Sequence, residues 1–144
     1  MYRALALIGA ALACSSPPTP TDADQATADC VEARDHSDLA WIQENIFTAS
    51  CATTSLCHRG QANDARGLNL EDGMALDNLI DEPSYQCFGE TLVVPGAPRD
   101  SYLMATFGVY PAGSCMIQLM PFRQPPLCKD KHDAIERWIT SLEQ

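Results

Sequence analysis

Positively charged side chains are scarce in this chain of 144 residues. Nine lysines and arginines stand against 19 aspartates and glutamates, for a net charge of −10, and only Lys129 and Lys131 are lysines. Nucleic-acid binding is disfavoured because few cations are present to neutralise phosphates. A docking face ringed by lysines is also disfavoured, so we expect any electrostatically attracted partner to be basic.

The sequence signatures of several common enzyme sites are missing too. The chain has no glycine-rich phosphate loop, no G-x-S-x-G turn and no H-E-x-x-H pair. The acidic residues are scattered singly, without a paired general acid and base. No close C-x-x-C is present for thiol–disulfide exchange, and the cysteine and histidine spacing fits no common zinc pattern. None of these reaction classes is therefore supported.

The N-terminus resembles an export signal. Residues 1–13 combine one positive charge, Arg3, with an apolar run too short to span a bilayer. The ending Ala-Leu-Ala-Cys at residues 11–14 resembles a bacterial lipoprotein cleavage box, which implies that Cys14 is lipidated; a plain secreted protein cut near this point is the alternative. Removal of this segment takes away Arg3 and changes the net charge from −10 to −11.

Residues 14–29 contain no large apolar side chain. Prolines, small polar residues and aspartates cannot form a core, so this segment is predicted to be a flexible tether. The remaining residues, 30–144, are predicted to form one small domain.

The chain contains seven cysteines, which indicates an oxidising compartment. If Cys14 is lipidated, six remain, and an even number in a small secreted domain is typical of disulfides. Six cysteines allow fifteen pairings when all are bridged, whereas four allow three. The expected number of bridges therefore depends on whether two of the cysteines have another role.

Hydrophobic periodicity predicts a mainly α-helical domain with long loops. The predicted helices, in chain order, are 37–49, 70–81, 101–107 and 130–143. Asp35 or Ser37 is the expected N-cap of the first helix and Asn69 that of the second. Residues 91–94 form one strand-like segment, which alone makes no sheet. The irregular stretch 108–128 is long enough to indicate a functional or pinned loop.

The most informative motif is Cys57-His58, which follows another cysteine, Cys51. A cysteine directly before a histidine is the arrangement that holds haem covalently, and the usual signature is C-x-x-C-H. The sulfur bonds a vinyl group and the imidazole lies under the iron. A methionine on the opposite side raises the reduction potential. Met120, before Pro121 in the irregular stretch, is the leading candidate for that ligand; the weaker candidates are Met74, Met104 and Met116.

With these residues the chain resembles the c-type cytochromes, and in particular secreted bacterial lipoproteins with one cytochrome c-like domain. The matching segments occur in the family's order and cover most of residues 46–139: Ile46-Phe47, Cys51-Ala52, Cys57-His58, Gly67-Leu68, Leu70, Val94-Pro95-Gly96-Ala97-Pro98, Ser101-Tyr102-Leu103, Met120-Pro121, Ile135 and Trp138-Ile139. The resemblance implies a small cytochrome c-like helical domain that binds haem c. In it Cys51 and Cys57 form the thioethers, His58 is the proximal iron ligand and Met120 the distal one.

The same resemblance implies two disulfides. Members of this group often have cysteines near the positions of Cys87 and Cys115, so we expect these two to be bridged. Cys30 and Cys128 precede the two terminal helices, which cross in the cytochrome c fold, and form the second expected bridge.

The chain departs from the family in having five residues between Cys51 and Cys57 instead of two. Three outcomes are compatible with this spacing: attachment through both cysteines, attachment through Cys57 alone, or a Cys51–Cys57 disulfide without haem. The competing interpretation of His58 is an exposed loop histidine, and that of Met120 is a flexible side chain filling a gap under a loop. His36 and His132 are expected to be solvated.

The sequence thus predicts a monomeric electron-transfer protein, not an enzyme, anchored by lipid outside the cytoplasmic membrane. It would exchange single electrons with redox partner proteins of the cell envelope. Ser15 after the lipidated cysteine favours a lipid anchor in the outer membrane over one in the inner membrane. The domain would then lie in the periplasm or at the cell surface. An open sixth position on the iron would instead suit a sensor or peroxidase-like use. The alternative from another class is a haem-free lipoprotein, stapled by three disulfides, that serves as a binding or assembly module.

Overall fold

The structure, a computed structural model, describes residues 22–60 and 65–142, and within these ranges it contains helices and loops but no strand. The five α-helices are α1 (Asp22–Glu32), α2 (Leu39–Ile42), α3 (Ala75–Leu79), α4 (Tyr102–Thr106) and α5 (Lys129–Ser141). A π-helix (Gln43–Cys51) continues α2, and short 3-10 turns lie at Ala33–Asp35 and Pro98–Asp100. The predicted mainly helical, disulfide-stapled domain is confirmed.

The helix predicted over 37–49 exists, but its cap and its winding differ from the prediction. Asp38 is the N-cap, because its carboxylate accepts a 2.9 Å hydrogen bond from the backbone N–H of Trp41. From Gln43 the helix widens to the π form and ends at Cys51. The backbone N–H of Ala52 donates to the carbonyl of Phe47, five residues earlier, at 2.7 Å, which is the π-type bond.

The other predicted helices are recovered with different accuracy. Helix α5 was predicted over 130–143; it begins one residue earlier than predicted and ends two residues earlier. Helix α4 lies inside the predicted 101–107. Helix α3 is only five residues long, and its N-cap position is Met74 instead of Asn69. The Asn69 side chain instead accepts from the N–H of Glu71 at 3.0 Å and closes a turn ahead of the helix.

Part of the predicted tether is helical. Residues 14–21 lie outside the described residues, but α1 begins at Asp22 and occupies the rest of the segment. The alanines of this stretch are strong helix formers. The lack of large apolar side chains in residues 14–29 therefore argues against a core in this segment but does not prevent a helix from forming.

Two disulfides join distant parts of the chain. Cys30 in α1 is bonded to Cys128, which precedes α5, and their Cα atoms are 6.2 Å apart. Cys87 is bonded to Cys115, with Cα atoms 5.8 Å apart. These are the two pairs that the family resemblance implied.

The main hydrophobic core lies between α2 with its π-helix and α5. Phe47 and Trp138 meet edge to face, with ring centroids 6.1 Å apart. The buried side chains of this core include Ala33, Trp41, Ile42, Ile46, Phe47, Cys51, Leu70, Leu79, Val93, Met104, Ile135, Trp138 and Ile139. The apolar faces of the first and last predicted helices therefore pack against each other in this core.

Residues 80–101 form a connected set of loops in place of the single predicted strand-like segment. Isolated bridges pair Ile80 with Val93, Pro83 with Thr91, and Thr91 with Ser101. The N–H of Gly96 then donates to the carbonyl of Ile139 at 2.9 Å, which ties these loops to the end of α5.

Candidate functional site

His58 is held by the backbone of a segment ten residues further along the chain. Its Nδ1 lies 3.3 Å from the carbonyl oxygen of Leu68. A carbonyl can only accept, so Nδ1 carries the proton and Nε2 keeps its lone pair. Burial lowers the pKa of His58, with a smaller opposing effect from the Leu68 carbonyl. The half-buried side chain is therefore a neutral imidazole, and its Nε2 has no hydrogen-bond partner among the described residues, which is the form that binds metals.

The segment that orients His58 is itself fixed to the π-helix. The N–H of Leu70 donates to the carbonyl of His58 at 2.8 Å. The carbonyl of Leu70 accepts from the buried side-chain amide of Gln43 at 2.9 Å, and the same amide donates to the hydroxyl of Thr48 at 3.1 Å. Gly67 enters this segment with φ of +80°, a left-handed conformation that favours glycine. Gln43, which showed no motif in the sequence, thus positions the histidine through Leu70.

Cys51, Cys57 and His58 belong to one closed loop. The N–H of His58 donates to the carbonyl of Cys51 at 3.0 Å, and the N–H of Cys57 donates to the carbonyl of Thr54 at 3.0 Å. The first bond joins the two ends of the loop, and among the five intervening residues Thr54, Ser55 and Leu56 are exposed, whereas Ala52 is buried in the main core. The longer spacing still leaves the backbone of Cys51 beside that of His58.

The two cysteines in this loop are free thiols with opposite surroundings. The Cys57 sulfur is partly exposed and lies 3.4 Å from the hydroxyl of Thr54 and 3.8 Å from that of Thr53. The Thr54 hydroxyl and then the Thr53 hydroxyl lower the pKa of Cys57. Cys51 is 7% exposed inside the main core. Burial, and secondarily the nearby Cys57 thiolate, raise the pKa of Cys51 to about 12.

The far side of the loop is closed by Glu71. Its carboxylate accepts from the N–H of Gly60 at 3.1 Å and from the Arg59 side chain at 3.1 Å. The Gly60 N–H is the largest cause of the lowered pKa of Glu71, followed by the amide of Asn69 and the Arg59 guanidinium. Glu71 therefore remains ionised and keeps the chain after His58 folded back towards residues 69–71.

Met120 lies on a separate segment, which is attached to α4. Its backbone N–H donates to the carbonyl of Thr106 at 2.8 Å, and its half-buried side chain packs against the main core. The peptide bond from Met120 to Pro121 is cis. Among the weaker candidates, Met104 is fully buried, whereas Met74 and Met116 are exposed. The structure thus brings three predicted site residues into one loop and holds the fourth on another segment.

His132 departs from the prediction that it is solvated. Its ring stacks on Phe107 with centroids 5.4 Å apart, and its Nε2 is buried without a hydrogen-bond partner among the described residues. Burial is the main cause of its lowered pKa; Asp133 opposes this and Lys129 adds to it. His36 is half-buried, stacked on Trp41 at 4.6 Å, and its Nδ1 lies 3.0 Å from the Asp38 carboxylate.

The groups that a covalently bound haem would require are present among the described residues, on two separate segments. A neutral imidazole with a free Nε2 adjoins a partly exposed thiol, and a thioether lies on a separate half-buried segment. Exposed apolar side chains flank both positions: Leu56, 73% exposed, precedes Cys57, and Leu119, 60% exposed, precedes Met120. An apolar macrocycle would cover such side chains, which water otherwise contacts.

Other features of the described residues bear on the predicted site. No group of three or more histidine, cysteine, aspartate and glutamate side chains is arranged there to hold a metal ion. A surface groove on α5 is lined by polar side chains and contains none of the predicted site residues. No helix among the described residues is long and apolar enough to cross a membrane. Cys14, the predicted lipidation site, lies outside them.

Comparison of the chain with protein-family models, curated proteins and solved structures gives no match. The resemblance to c-type cytochromes therefore depends on the residues quoted above.

Proposed function

We propose that the chain is a haem c-binding electron-transfer lipoprotein of the bacterial cell envelope. The observation that supports this most is the hydrogen bond from His58 Nδ1 to the Leu68 carbonyl, directly after an unpaired Cys57. Histidines that bind metals commonly donate their second ring nitrogen to a backbone carbonyl, which fixes the tautomer and aims the free nitrogen.

The residues have distinct roles in this proposal. His58 and Met120 would hold the iron, and the Cys51–Cys57 loop would supply the covalent attachment. Bound haem supplies one-electron exchange between the ferrous and ferric states of its iron. Leu68 and Gln43 orient the imidazole, and the apolar residues beside the site exclude water. No substrate is transformed, so the protein is an electron carrier and not an enzyme.

The cellular setting follows from the sequence. Lipid on Cys14 would anchor the domain, in the outer membrane or at the cell surface in preference to the inner membrane. The residues between Cys14 and α1 would act as the tether. The net charge of −11 after removal of the signal segment selects basic redox partners, because acidic surfaces attract them over the range of the Debye length.

A visible absorption spectrum of protein made together with a haem-attachment system tests the proposal. We expect a reduced low-spin c-type spectrum in the wild type. Met120→Ala should keep the haem but lower the reduction potential, because a methionine ligand raises it. Met116→Ala, which changes a fully exposed methionine in the same irregular stretch, is the matched control and should leave the potential unchanged. Absence of bound haem in the wild type contradicts the proposal.

A haem-free binding or assembly module remains the second candidate. The structure contains two of the three disulfides that this alternative required, since Cys51 and Cys57 are unpaired. The observation in its favour is a pair of strongly exposed aromatic residues beside the Cys87–Cys115 bridge, Tyr85 at 75% and Phe88 at 104%. Intact mass separates the candidates, because only the cytochrome gains the mass of haem.

A further inference from the structure

We infer that haem is attached through Cys57 alone and that Cys51 remains an unmodified thiol in the mature protein. The inference rests on the proposed function and narrows it to one thioether. It arises from the different positions of two sulfurs that the sequence alone presents as equivalent.

Cys51 is held where a macrocycle has no access to its sulfur. It is the last residue of the π-helix, is 7% exposed, and packs in the main core. Its backbone is fixed on both sides, since its carbonyl accepts from His58 and the next N–H, that of Ala52, donates to Phe47. Turning the Cys51 sulfur outward would require the end of this helix to unwind and the core to open.

Cys57 lies in the opposite situation. Its side chain is partly exposed, and its sulfur is surrounded by the hydroxyls of Thr53 and Thr54 on the outside of the loop. It immediately precedes His58, so a porphyrin whose iron is bound by the imidazole has an edge within reach of this sulfur. Between the cysteines Ala52 is still buried in the core, but Thr54, Ser55 and Leu56 are exposed, so the chain has left the core before it reaches Cys57.

The attachment step is balanced without an additional oxidant or reductant. The S–H group of Cys57 adds across one vinyl C=C bond of haem. Sulfur bonds the carbon next to the ring, and the hydrogen is gained by the terminal carbon. The second vinyl group is unchanged, and Cys51 keeps its own S–H.

Alkylation of the full-length wild-type protein tests this inference. Protein made with a haem-attachment system is denatured without reductant, treated with iodoacetamide, digested and analysed by mass spectrometry. We expect the peptide that contains both cysteines to gain one haem and one carbamidomethyl group, with fragmentation placing the carbamidomethyl group on Cys51. Haem with no carbamidomethyl group, or with this group on Cys57, overturns the inference while the proposed function stands. A peptide without haem overturns both.

Two matched variants provide a second measurement. Cys51→Ser should keep covalent haem at the wild-type yield, whereas Cys57→Ser should lose all covalent haem. An equal loss of haem in the two variants, in protein that retains its helical circular dichroism, contradicts single attachment. If Cys51→Ser does not fold, the alkylation result for the wild type still shows whether haem is attached through Cys57 alone.

Discussion

The two sides of this small domain are stabilised in different ways. On one side, α1, α2 and α5 meet through the Phe47–Trp138 contact and the Cys30–Cys128 disulfide, and Arg137 donates to the carbonyls of Ala33 and His36 at 2.8 and 2.7 Å. On the other side, residues 51–60 and 65–71 are held mainly by hydrogen bonds to backbone groups. A packed framework thus holds a loop whose conformation depends on a few polar contacts. Such loops on rigid scaffolds are where binding residues concentrate.

The largest expected effect is that of removing the framework's disulfide. In the chain-entropy model, a bridge across 98 residues contributes about 4.7 kcal/mol and one across 28 residues about 3.6 kcal/mol. The double variant Cys30→Ala/Cys128→Ala should therefore lower the free energy of unfolding more than Cys87→Ala/Cys115→Ala. Urea denaturation of both variants checks this order. The reverse order would mean that the framework depends on packing and not on this bridge.

The next effect concerns packing in the core. Phe47→Ala removes a fully buried ring from the contact with Trp138 and should lower the free energy of unfolding by about 3–5 kcal/mol. Glu44→Ala, an exposed change on the same helix, should alter it by no more than about 0.5 kcal/mol. Thermal denaturation of the pair measures the difference. Similar melting temperatures would show that the core is not centred on this contact.

A smaller and more local effect is expected from Gln43→Leu. The variant leaves the buried Leu70 carbonyl without its donor and should cost about 1–3 kcal/mol. It should also speed hydrogen exchange of the Leu70 amide and move the pKa of His58 back towards its ordinary value. Thr48→Val removes only the second partner of the amide and is the control. Unchanged exchange and pKa in Gln43→Leu would show that Gln43 does not position His58.

The smallest effect at neutral pH is that of His132→Gln. Because burial lowers the pKa of His132 in the folded protein, the unfolded chain takes up this proton first as pH falls below about 6.5. The native protein therefore loses stability with acidification in that range. Urea midpoints measured between about pH 7 and pH 5 should decline less steeply in His132→Gln than in the wild type. Equal slopes would indicate that the His132 ring is solvated.

The framework was predictable from the sequence because its signals are local. Ile135, Trp138 and Ile139 recur at helical spacing, and the structure places them in the core of α5. The winding of the π-helix was not predictable, because the change from i+4 to i+5 bonding at residues 43–51 leaves no periodic mark. The helix α1 was missed because its alanines and aspartates also suit a linker.

The candidate site was predictable only in part. The adjacency of Cys57 and His58 is the signal for the proposed chemistry, since covalent attachment and iron ligation would need neighbouring residues. The contacts that prepare it are to the backbone carbonyls of Leu68, Leu70 and Cys51, and any residue type supplies a carbonyl. The burial of Cys51 likewise follows from the end of the π-helix and not from its spacing to Cys57.

Retention of haem after denaturation and extraction with acidified organic solvent tests the central claim most directly. After extraction, the haem absorbance of the wild-type protein, made with a haem-attachment system, should stay with the polypeptide. In Cys57→Ser all of the haem should be released into the solvent. A wild-type protein that is colourless after extraction, with both Cys51 and Cys57 open to alkylation, would contradict the claim that His58 and Cys57 form a haem site.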